Sequence, residues 1–240
     1  MPLMDALARN AQQLFNIRLS ASQISALAVY ERELLDWNAK FNLTALREPA
    51  SIRTKHFLDS FSCVLAWGAF PPHRLIDVGT GAGFPGLPLK ILYPGMDLTL
   101  LESVGKKAMF LEHMVRLLAL PHVEVVKARA EDVGCLETHR ERYDFAIARA
   151  VAEMRVLAEY LLPLVKMGGT ALCLKGESGP AEAQSAEGAI KVLGGRLQRL
   201  IPVHLPGLAD ERYLVLVEKI AATPPKYPRT AGMPAKRPLQ

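Results

Sequence analysis

Residues 74–219 alternate between short apolar runs and helical patterns, and this alternation limits the fold more than any other feature of the chain. Strands are predicted at residues 74–78, 98–101, 123–126, 143–148, 170–174, 196–204 and 213–219. Apolar strands separated by helices are typical of a parallel sheet that is covered on both faces. A Leu-Pro-Gly-Leu segment at 205–208 joins the last two runs, which predicts a closing hairpin. We therefore expect an α/β fold with a seven-stranded, mostly parallel sheet.

The first 70 residues are predicted to form helices that precede this sheet. Ser20 and Gln23 have the spacing of a capping box, and apolar residues follow with helical period. A second helix is predicted over 49–65. Within the sheet region, helices are predicted up to residue 93, over 106–120, up to 165 and up to 193. The chain is accordingly divided into a helical cap (1–70), a sheet domain (71–220) and a tail (221–240).

The tail is basic and rich in proline. The formal net charge is +5, and residues 219–240 hold five Lys or Arg residues and no acid, so the rest of the chain sums to zero. A neutral body with a basic tail indicates a polyanionic partner such as RNA or DNA, although a solvated tail without a ligand has the same composition. Five prolines within 222–240 predict neither helix nor central strand there.

Composition excludes several other classes of protein. Half the residues are hydrophobic and 22% are charged, which is typical of a globular chain and not of a disordered one. No run of 18 apolar residues and no signal-peptide pattern is present, so neither a membrane partner nor secretion is expected. The three cysteines are far apart in sequence, which fits a reducing cytoplasm and predicts neither disulfides nor a CxxC metal site.

A glycine loop follows the first predicted strand directly. Asp77 is followed by Gly79, Gly81 and Gly83, and such glycines let the backbone turn sharply and approach a ligand closely. Residues 81–86 also match the GxGxxG pattern of dinucleotide enzymes. The carboxylate of Asp77 would repel a pyrophosphate but can accept from an ammonium group, and no tyrosine has the Lys four residues on that a short-chain dehydrogenase needs. The loop therefore favours S-adenosylmethionine, which carries an ammonium and a sulfonium and no phosphate.

The other strand ends also carry polar groups. Glu102 ends the second strand and is predicted to accept from the ribose hydroxyls of an adenosine moiety, a need that NAD and S-adenosylmethionine share. Ala130 and Glu131 follow the third strand and are predicted to meet the adenine edge. Arg149 ends the fourth strand and Lys175 the fifth. Because ligands bind over the carboxyl ends of parallel strands, these residues are predicted to converge on one crevice.

The helical cap contains two further polar clusters. Residues 37–44, which include Asn42, mix aromatic, amide and basic groups outside a clean helical period. His56, Asp59 and Ser60 have the spacing of one helical face, which by itself is typical of a His–Asp pair that fixes a helix. No Gly-x-Ser-x-Gly elbow supports a catalytic triad, and the histidines have no metal-ligand spacing, so no metal is expected.

Taken together, these motifs resemble the bacterial small-subunit ribosomal RNA methyltransferase G family. The resemblance is carried by residues 37–44, 56–60, 77–89, 100–103 with Lys106-Lys107, 148–150 and 226–234. It implies a class I S-adenosylmethionine-dependent methyltransferase, Rossmann-like, with a helical cap. It also implies methylation of N7 of guanosine 527 in the 530 loop of 16S rRNA, in the cytoplasm, with S-adenosylhomocysteine as the product.

The resemblance assigns cofactor contacts to Gly79, Phe84, Ala130, Glu131 and Arg149. Two positions differ mildly from the family: relatives often have leucine at the position of Phe84 and aspartate at that of Glu102. Both residues of this chain keep the chemical character of the family residue, apolar at 84 and acidic at 102. N7 of guanine has a lone pair and no proton to lose, so alignment of the reactants is expected to supply the catalysis. No catalytic acid, base or nucleophile is predicted, and Arg149 is the one candidate for a direct catalytic role.

RNA contacts are predicted for Asn42, His56, Asp59, Lys175, Tyr227 and Arg229. The basic tail is expected to clamp the single-stranded loop by phosphate contacts and stacking, so that its removal weakens RNA binding and spares cofactor binding. A monomer is expected. Four alternatives stay open: another RNA substrate, a small-molecule substrate, a nicotinamide oxidoreductase and a non-catalytic RNA-binding module. The missing tyrosine–lysine pair disfavours the oxidoreductase, and the intact glycine loop disfavours the binding module.

Overall fold

A seven-stranded sheet forms the centre of the protein. The computed structural model describes residues 2–240, with side chains from Met4 onward. The strands are β1 (Arg74–Val78), β2 (Asp97–Leu101), β3 (Val123–Val126), β4 (Tyr143–Arg149), β5 (Val165–Lys175), β6 (Gly195–Val203) and β7 (Arg212–Lys219). Their order in the sheet is β3-β2-β1-β4-β5-β7-β6, in which β1 to β5 are parallel and β7 is antiparallel to both neighbours. The predicted sheet and its closing hairpin are confirmed.

Helices cover both faces of the sheet and precede it. They are α1 (Pro2–Phe15), α2 (Ala21–Phe41), α3 (Pro49–Ile52), α4 (Asp59–Phe61), α5 (Val64–Trp67), α6 (Gly86–Leu92), α7 (Gly105–Leu117), α8 (Ala130–Val133), α9 (Met154–Leu161), α10 (Gly179–Ser185), α11 (Glu187–Val192) and α12 (Met233–Lys236). The capping box is formed as predicted, with Ser20 accepting from the amide of Gln23. Within residues 2–240, no helix combines the length and apolarity that crossing a membrane requires.

The helical cap shares its core with the sheet. Leu27, Tyr30 and Leu34, spaced along one face of α2, are fully buried in the same apolar cluster as Leu100 of β2 and Phe110 of α7. Burying an aromatic or leucine side chain contributes about 1.5–3 kcal/mol. The cap is therefore fixed against the sheet by the same burial that stabilises the sheet itself.

The predicted helix over 49–65 is interrupted by a π-helical turn at Arg53–Leu58, which joins α3 to α4. Each π turn inserts an extra residue relative to an α-helix and so rotates the side chains that follow. His56 and Asp59 both line the cleft at the carboxyl edge of the sheet. The interruption was not predictable from hydrophobic period, because the apolar residues on both sides keep a helical spacing.

Several predicted boundaries were wrong. β5 begins at Val165, where a helix was predicted to end, because the chain after α9 turns directly into the sheet. The predicted helix to residue 193 is split into α10 and α11. In the tail, Met233–Lys236 form a short helix despite Pro234, because proline is compatible with the first turn, where its missing N–H has no partner to lose.

Residues 222–240, which we call the C-terminal strap, are packed along the outside of the sheet domain. The guanidinium of Arg140 donates to the carbonyls of Thr223 and Tyr227 at 2.7 and 2.8 Å. Tyr227 is 8% exposed and belongs to the apolar core on that face of the sheet. The strap is thus an ordered part of the fold.

Candidate active site

A cleft of about 470 Å³ opens at the carboxyl edge of the sheet, between the cap and the strand ends. Its walls come from the glycine loop after β1, the end of β4, the end of β5, the start of β7 and the π turn of the cap. The predicted residues that line it are Gly79, Gly81, Phe84, His56, Asp59, Arg149 and Lys175. The fold therefore brings the motifs on three strand ends together with the His–Asp cluster of the cap.

The glycine loop is shaped to hold a ligand. Gly79, Gly81 and Gly83 have φ of +67°, +64° and +100°, which favour glycine over other residues. A Cβ on Gly81 would meet no protein atom within 4 Å, so the backbone there faces open space in the cleft. The bare backbone at Gly81 fits the close approach of a ligand such as S-adenosylmethionine, whereas a Cβ on Gly79 would lie 2.7 Å from Val151 Cγ2.

Asp77 supports the loop from beneath. Its Oδ2 accepts from the Thr80 hydroxyl at 2.6 Å and from the Gly86 amide at 2.8 Å. Burial raises the pKa of Asp77 to about 6. The side chain is fully buried and does not line the cleft. The predicted contact of Asp77 with a ligand ammonium is therefore not set up by this geometry, and the carboxylate instead fixes both ends of the loop.

Glu102 connects the glycine loop to the loop after β2. Its two carboxylate oxygens accept from the amides of Gly81 at 2.9 Å and Val104 at 2.8 Å. The side chain is 5% exposed. Glu102 thus holds the amide of Gly81 but does not itself line the cleft, and its ribose contact stays a prediction.

Tyr30 is a site residue that the sequence analysis missed. Its hydroxyl donates to the Ala82 carbonyl at 2.5 Å, and its ring is stacked on Phe84 with the ring centroids 5.1 Å apart. The cap helix α2 therefore holds the glycine loop directly. The only signal in the sequence is that Tyr30 falls on the apolar face of α2, between Leu27 and Leu34, where a hydroxyl needs a buried partner.

A hydrogen-bonded network joins the cap to the end of β4. The Arg149 guanidinium donates to Asp59 Oδ2 at 2.7 Å and to His56 Nδ1 at 3.0 Å. Arg212, which the sequence analysis also missed, contacts Asp59 Oδ1 at 3.4 Å. His56 Nε2 lies 2.9 Å from the Thr44 hydroxyl. Because a guanidinium only donates, Nδ1 of His56 accepts and the imidazole proton resides on Nε2.

This network keeps His56 uncharged. Burial, followed by the positive charge of Arg149, lowers the pKa of His56 to about 3. The imidazole is stacked on Phe84 with ring centroids 4.3 Å apart, and the Arg149 guanidinium lies 5.3 Å from the same ring. The cluster therefore holds Arg149 in one place beside a neutral imidazole.

The cleft is positively charged. Its lining side chains include five cations and two carboxylates, namely Lys55, Lys107, Arg149, Lys175 and Arg212 against Asp59 and Glu182. Lys175 is bound to Glu182 at 2.6 Å, and Asp59 is shared by the two arginines. Among residues 2–240, no ion-pair partner is found for Lys55 or Lys107, so these two ammonium groups are available to an anionic ligand.

The remaining predicted residues lie outside the lining of the cleft, and Gly83 and Glu102 are among them. Asn42 ends α2 with φ of +50° and accepts from Arg47 at 3.2 Å. Ala130 and Glu131 begin α8, which follows the carboxyl end of β3. Tyr227 and Arg229 lie in the strap, where Arg229 is paired with Glu159 at 2.6 Å. No group of three or more potential metal ligands is found in the described part of the chain.

Sequence comparison relates nearly the whole chain to one group of proteins. A family model described as rRNA small subunit methyltransferase G matches residues 23–211. The ribosomal RNA small subunit methyltransferase G of Roseiflexus castenholzii is 51% identical over 98% of this chain and 100% of its own length. The protein of the same name from Alkaliphilus oremlandii is 48% identical over the full length of both chains.

Comparison with solved structures supports the fold. A SAM-dependent methyltransferase from Aquifex aeolicus superposes with a TM-score of 0.55 at 17% identity, over 75% of this chain and 97% of that one. TrmN from Thermus thermophilus gives 0.52 at 18% identity, over 70% of this chain and 53% of its own. At these identities the likeness concerns the fold alone, which is that of class I methyltransferases.

Proposed function

The chain belongs to the rRNA small subunit methyltransferase G family and is an S-adenosylmethionine-dependent methyltransferase of small-subunit rRNA, and we propose that its transfer to N7 of guanosine 527 takes place in the cleft described above. The observation that carries the location is that the bare backbone at Gly81 and two unpaired lysines, Lys55 and Lys107, line the same cleft. The loop fits the cofactor, and the lysines fit the RNA backbone.

The glycine loop and Glu102 would hold the cofactor, whose sulfonium supplies an activated methyl group when it is bound. The backbone at Gly81 would give close contact, and Tyr30 and Asp77 keep the loop in place. Glu102, which is bound to the Gly81 amide, would accept from the ribose hydroxyls. In this proposal the loop backbone contacts the cofactor, and the side chains of Tyr30 and Asp77 keep the loop rigid.

The other half of the cleft would hold the target guanine and its neighbours. Arg149 is fixed by Asp59 and His56, and the buried Nε–H of Arg212 has no acceptor among the described residues, which leaves a donor for RNA or for the cofactor carboxylate. Lys55 and Lys107 would neutralise phosphates at the rim. Because N7 needs no deprotonation, holding the two reactants in line supplies the rate, and effective molarities can contribute about 7–11 kcal/mol.

The experiment that tests this function is transfer of labelled methyl from S-adenosylmethionine to small ribosomal subunits from a strain that lacks the modification. We expect label at one guanosine of the 530 loop, mapped by chemical cleavage at N7-methylguanosine. Subunits from a strain that already carries the modification are the matched control and should take up no label. Transfer to another RNA or to a small molecule would contradict the assigned substrate, and S-adenosylmethionine would remain the donor.

A further inference from the structure

Two buried carboxylates face the C-terminal strap. Glu159 of α9 is fully buried and Glu131 of α8 is 4% exposed. A buried charge without a partner is strongly destabilising, so both groups need donors. The strap contributes an amide or guanidinium donor to each. These partners are 70 and 101 residues apart in sequence, so the sequence analysis predicted RNA contacts for the tail and not these internal ones.

Arg229 satisfies Glu159 completely. Its main-chain amide donates to Oε1 at 2.8 Å, its Nε to the same oxygen at 2.9 Å, and its Nη2 to Oε2 at 2.6 Å. A bidentate pair of this kind fixes orientation as well as distance. Arg229 is therefore an anchor of the strap, and its charge is already used within the protein.

The strap then reaches the segment that follows β3. The Gly232 amide donates to Glu131 Oε1 at 2.7 Å, from a turn with φ of +83°. At the other end of the same segment, Pro228 packs so closely on Gly134 that a Cβ there would lie 2.9 Å from Pro228 Cγ. Arg140 links the two by donating to the carbonyls of Gly134 and Tyr227. Residues 130–134 are thus held at both ends by the strap.

We propose that the C-terminal strap is a positioning element of the cofactor site, in which Arg229 and Gly232 fix α8 so that Ala130 and Glu131 meet the adenine edge of S-adenosylmethionine. The proposal rests on the proposed function, since it assumes that S-adenosylmethionine binds with its adenine against Ala130 and Glu131. It reverses the expectation that removal of the tail spares cofactor binding. The strap acts through α8 and touches no reacting atom.

Substitution of the anchor tests this coupling. Because Arg229→Ala leaves Glu159 as an unpaired buried charge, the double variant Arg229→Met, Glu159→Gln is measured with it. For both, we expect the Kd for S-adenosylmethionine to rise about tenfold, within the usual range of coupling between sites, while 16S rRNA affinity and the rate at saturating cofactor stay at the wild-type level. Arg196→Ala, which removes an exposed pair with Glu218 on the β6–β7 hairpin, is the control and should leave Kd unchanged.

Hydrogen exchange of the wild-type protein supplies a readout that a merely structural role would not change. Coupling is reciprocal, so cofactor binding should slow amide exchange in the strap, at residues 227–233, as well as at 130–134. Folded variants with a Kd within twofold of the wild type would overturn this proposal and leave the proposed function standing. The same holds if amide exchange in the strap is unchanged when the cofactor binds. A wild-type protein that binds no S-adenosylmethionine would overturn the proposed function as well.

Discussion

His56 shows how one side chain is assigned a role by its neighbours. The sequence spacing left it between a helix-fixing pair and an RNA contact. The structure places its Nδ1 on Arg149 and its Nε2 on Thr44, so both nitrogens are occupied. A neutral imidazole in this position accepts a hydrogen bond from the guanidinium and orients it without electrostatic repulsion. We infer that the pair of His56 and Asp59 sets where Arg149 points into the cleft.

The low pKa of His56 has a consequence for stability. Because the folded-state pKa of about 3 lies below the ordinary 6.5, the unfolded chain takes up a proton below pH 6.5 that the folded chain does not, and stability is lost as the pH falls through this window. His56→Gln removes this effect. In urea unfolding from about pH 7 to about pH 5, the stability of the wild type relative to the variant should therefore fall.

Asp77 titrates in the same range with the opposite sign. Its folded-state pKa of about 6 lies above the ordinary 3.8, so it lowers stability as the pH rises from 3.8 to 6. This contribution is common to the wild type and His56→Gln and cancels in their difference. A difference that stays constant with pH would mean that His56 is protonated in the folded protein.

At the scale of elements, the glycine loop and α2 form one unit. A Cβ on Gly83 would lie 2.6 Å from the Tyr30 hydroxyl oxygen and 2.5 Å from Leu87 Cδ1, whereas a Cβ on Gly81 would meet nothing within 4 Å. Both glycines have positive φ, of +100° at Gly83 and +64° at Gly81, but their surroundings differ. Gly83 allows the cap to pack against the loop, and Gly81 leaves the cleft open to a ligand.

Alanine at each position separates these roles. Gly81→Ala should lower the free energy of unfolding by about 1–2 kcal/mol, from left-handed backbone strain alone, and should weaken S-adenosylmethionine binding because its methyl enters the cleft. Gly83→Ala should lose about 1–3 kcal/mol more, because overpacking adds to strain. Urea unfolding and calorimetric titration measure the two effects. Equal losses of stability would contradict the proposed packing of Tyr30 against Gly83.

The sequence predicts the strands better than the helices. β1 and β3 begin and end where the apolar runs do, because a short apolar segment between polar turns has few other ways to be buried. The π turn at Arg53–Leu58 and the helix within the strap depend on tertiary packing, which no local pattern encodes. The convergence of the strand ends was predictable because it follows from the order of strands and helices along the chain. The contacts of Tyr30, Arg212 and Glu159 were not predictable, because they also depend on tertiary packing.

On the scale of the whole molecule, charge is distributed differently from what the sequence suggested. Of the five cations in residues 219–240, Lys219 is buried beside Glu141 and Arg229 is paired with Glu159. The unpaired positive charge that faces the candidate site comes instead from the cap and α7, as Lys55 and Lys107. The cleft rim is therefore the surface that we expect to bind RNA phosphates.

Salt dependence tests this expectation. Lys55→Ala and Lys107→Ala should each weaken binding of a 530-loop RNA and lower the slope of log affinity against log salt by about 0.7–1, one phosphate contact each. Lys191→Ala, which removes an exposed lysine on α11 outside the cleft, is the matched control. Slopes that match the wild type in both rim variants would place the RNA elsewhere on the protein.

The position of β7 determines when the fold can be completed during synthesis. β7 is the last strand to be made, yet it lies between β5 and β6, so β6 has no partner in the sheet until residues 212–219 have emerged from the ribosome. The strap follows only after that. Nascent chains fold from the amino terminus, and an unpaired strand edge is prone to aggregation in the interval. The sheet of this enzyme is therefore completed only once β7 has been made, and the strap docks on it later still.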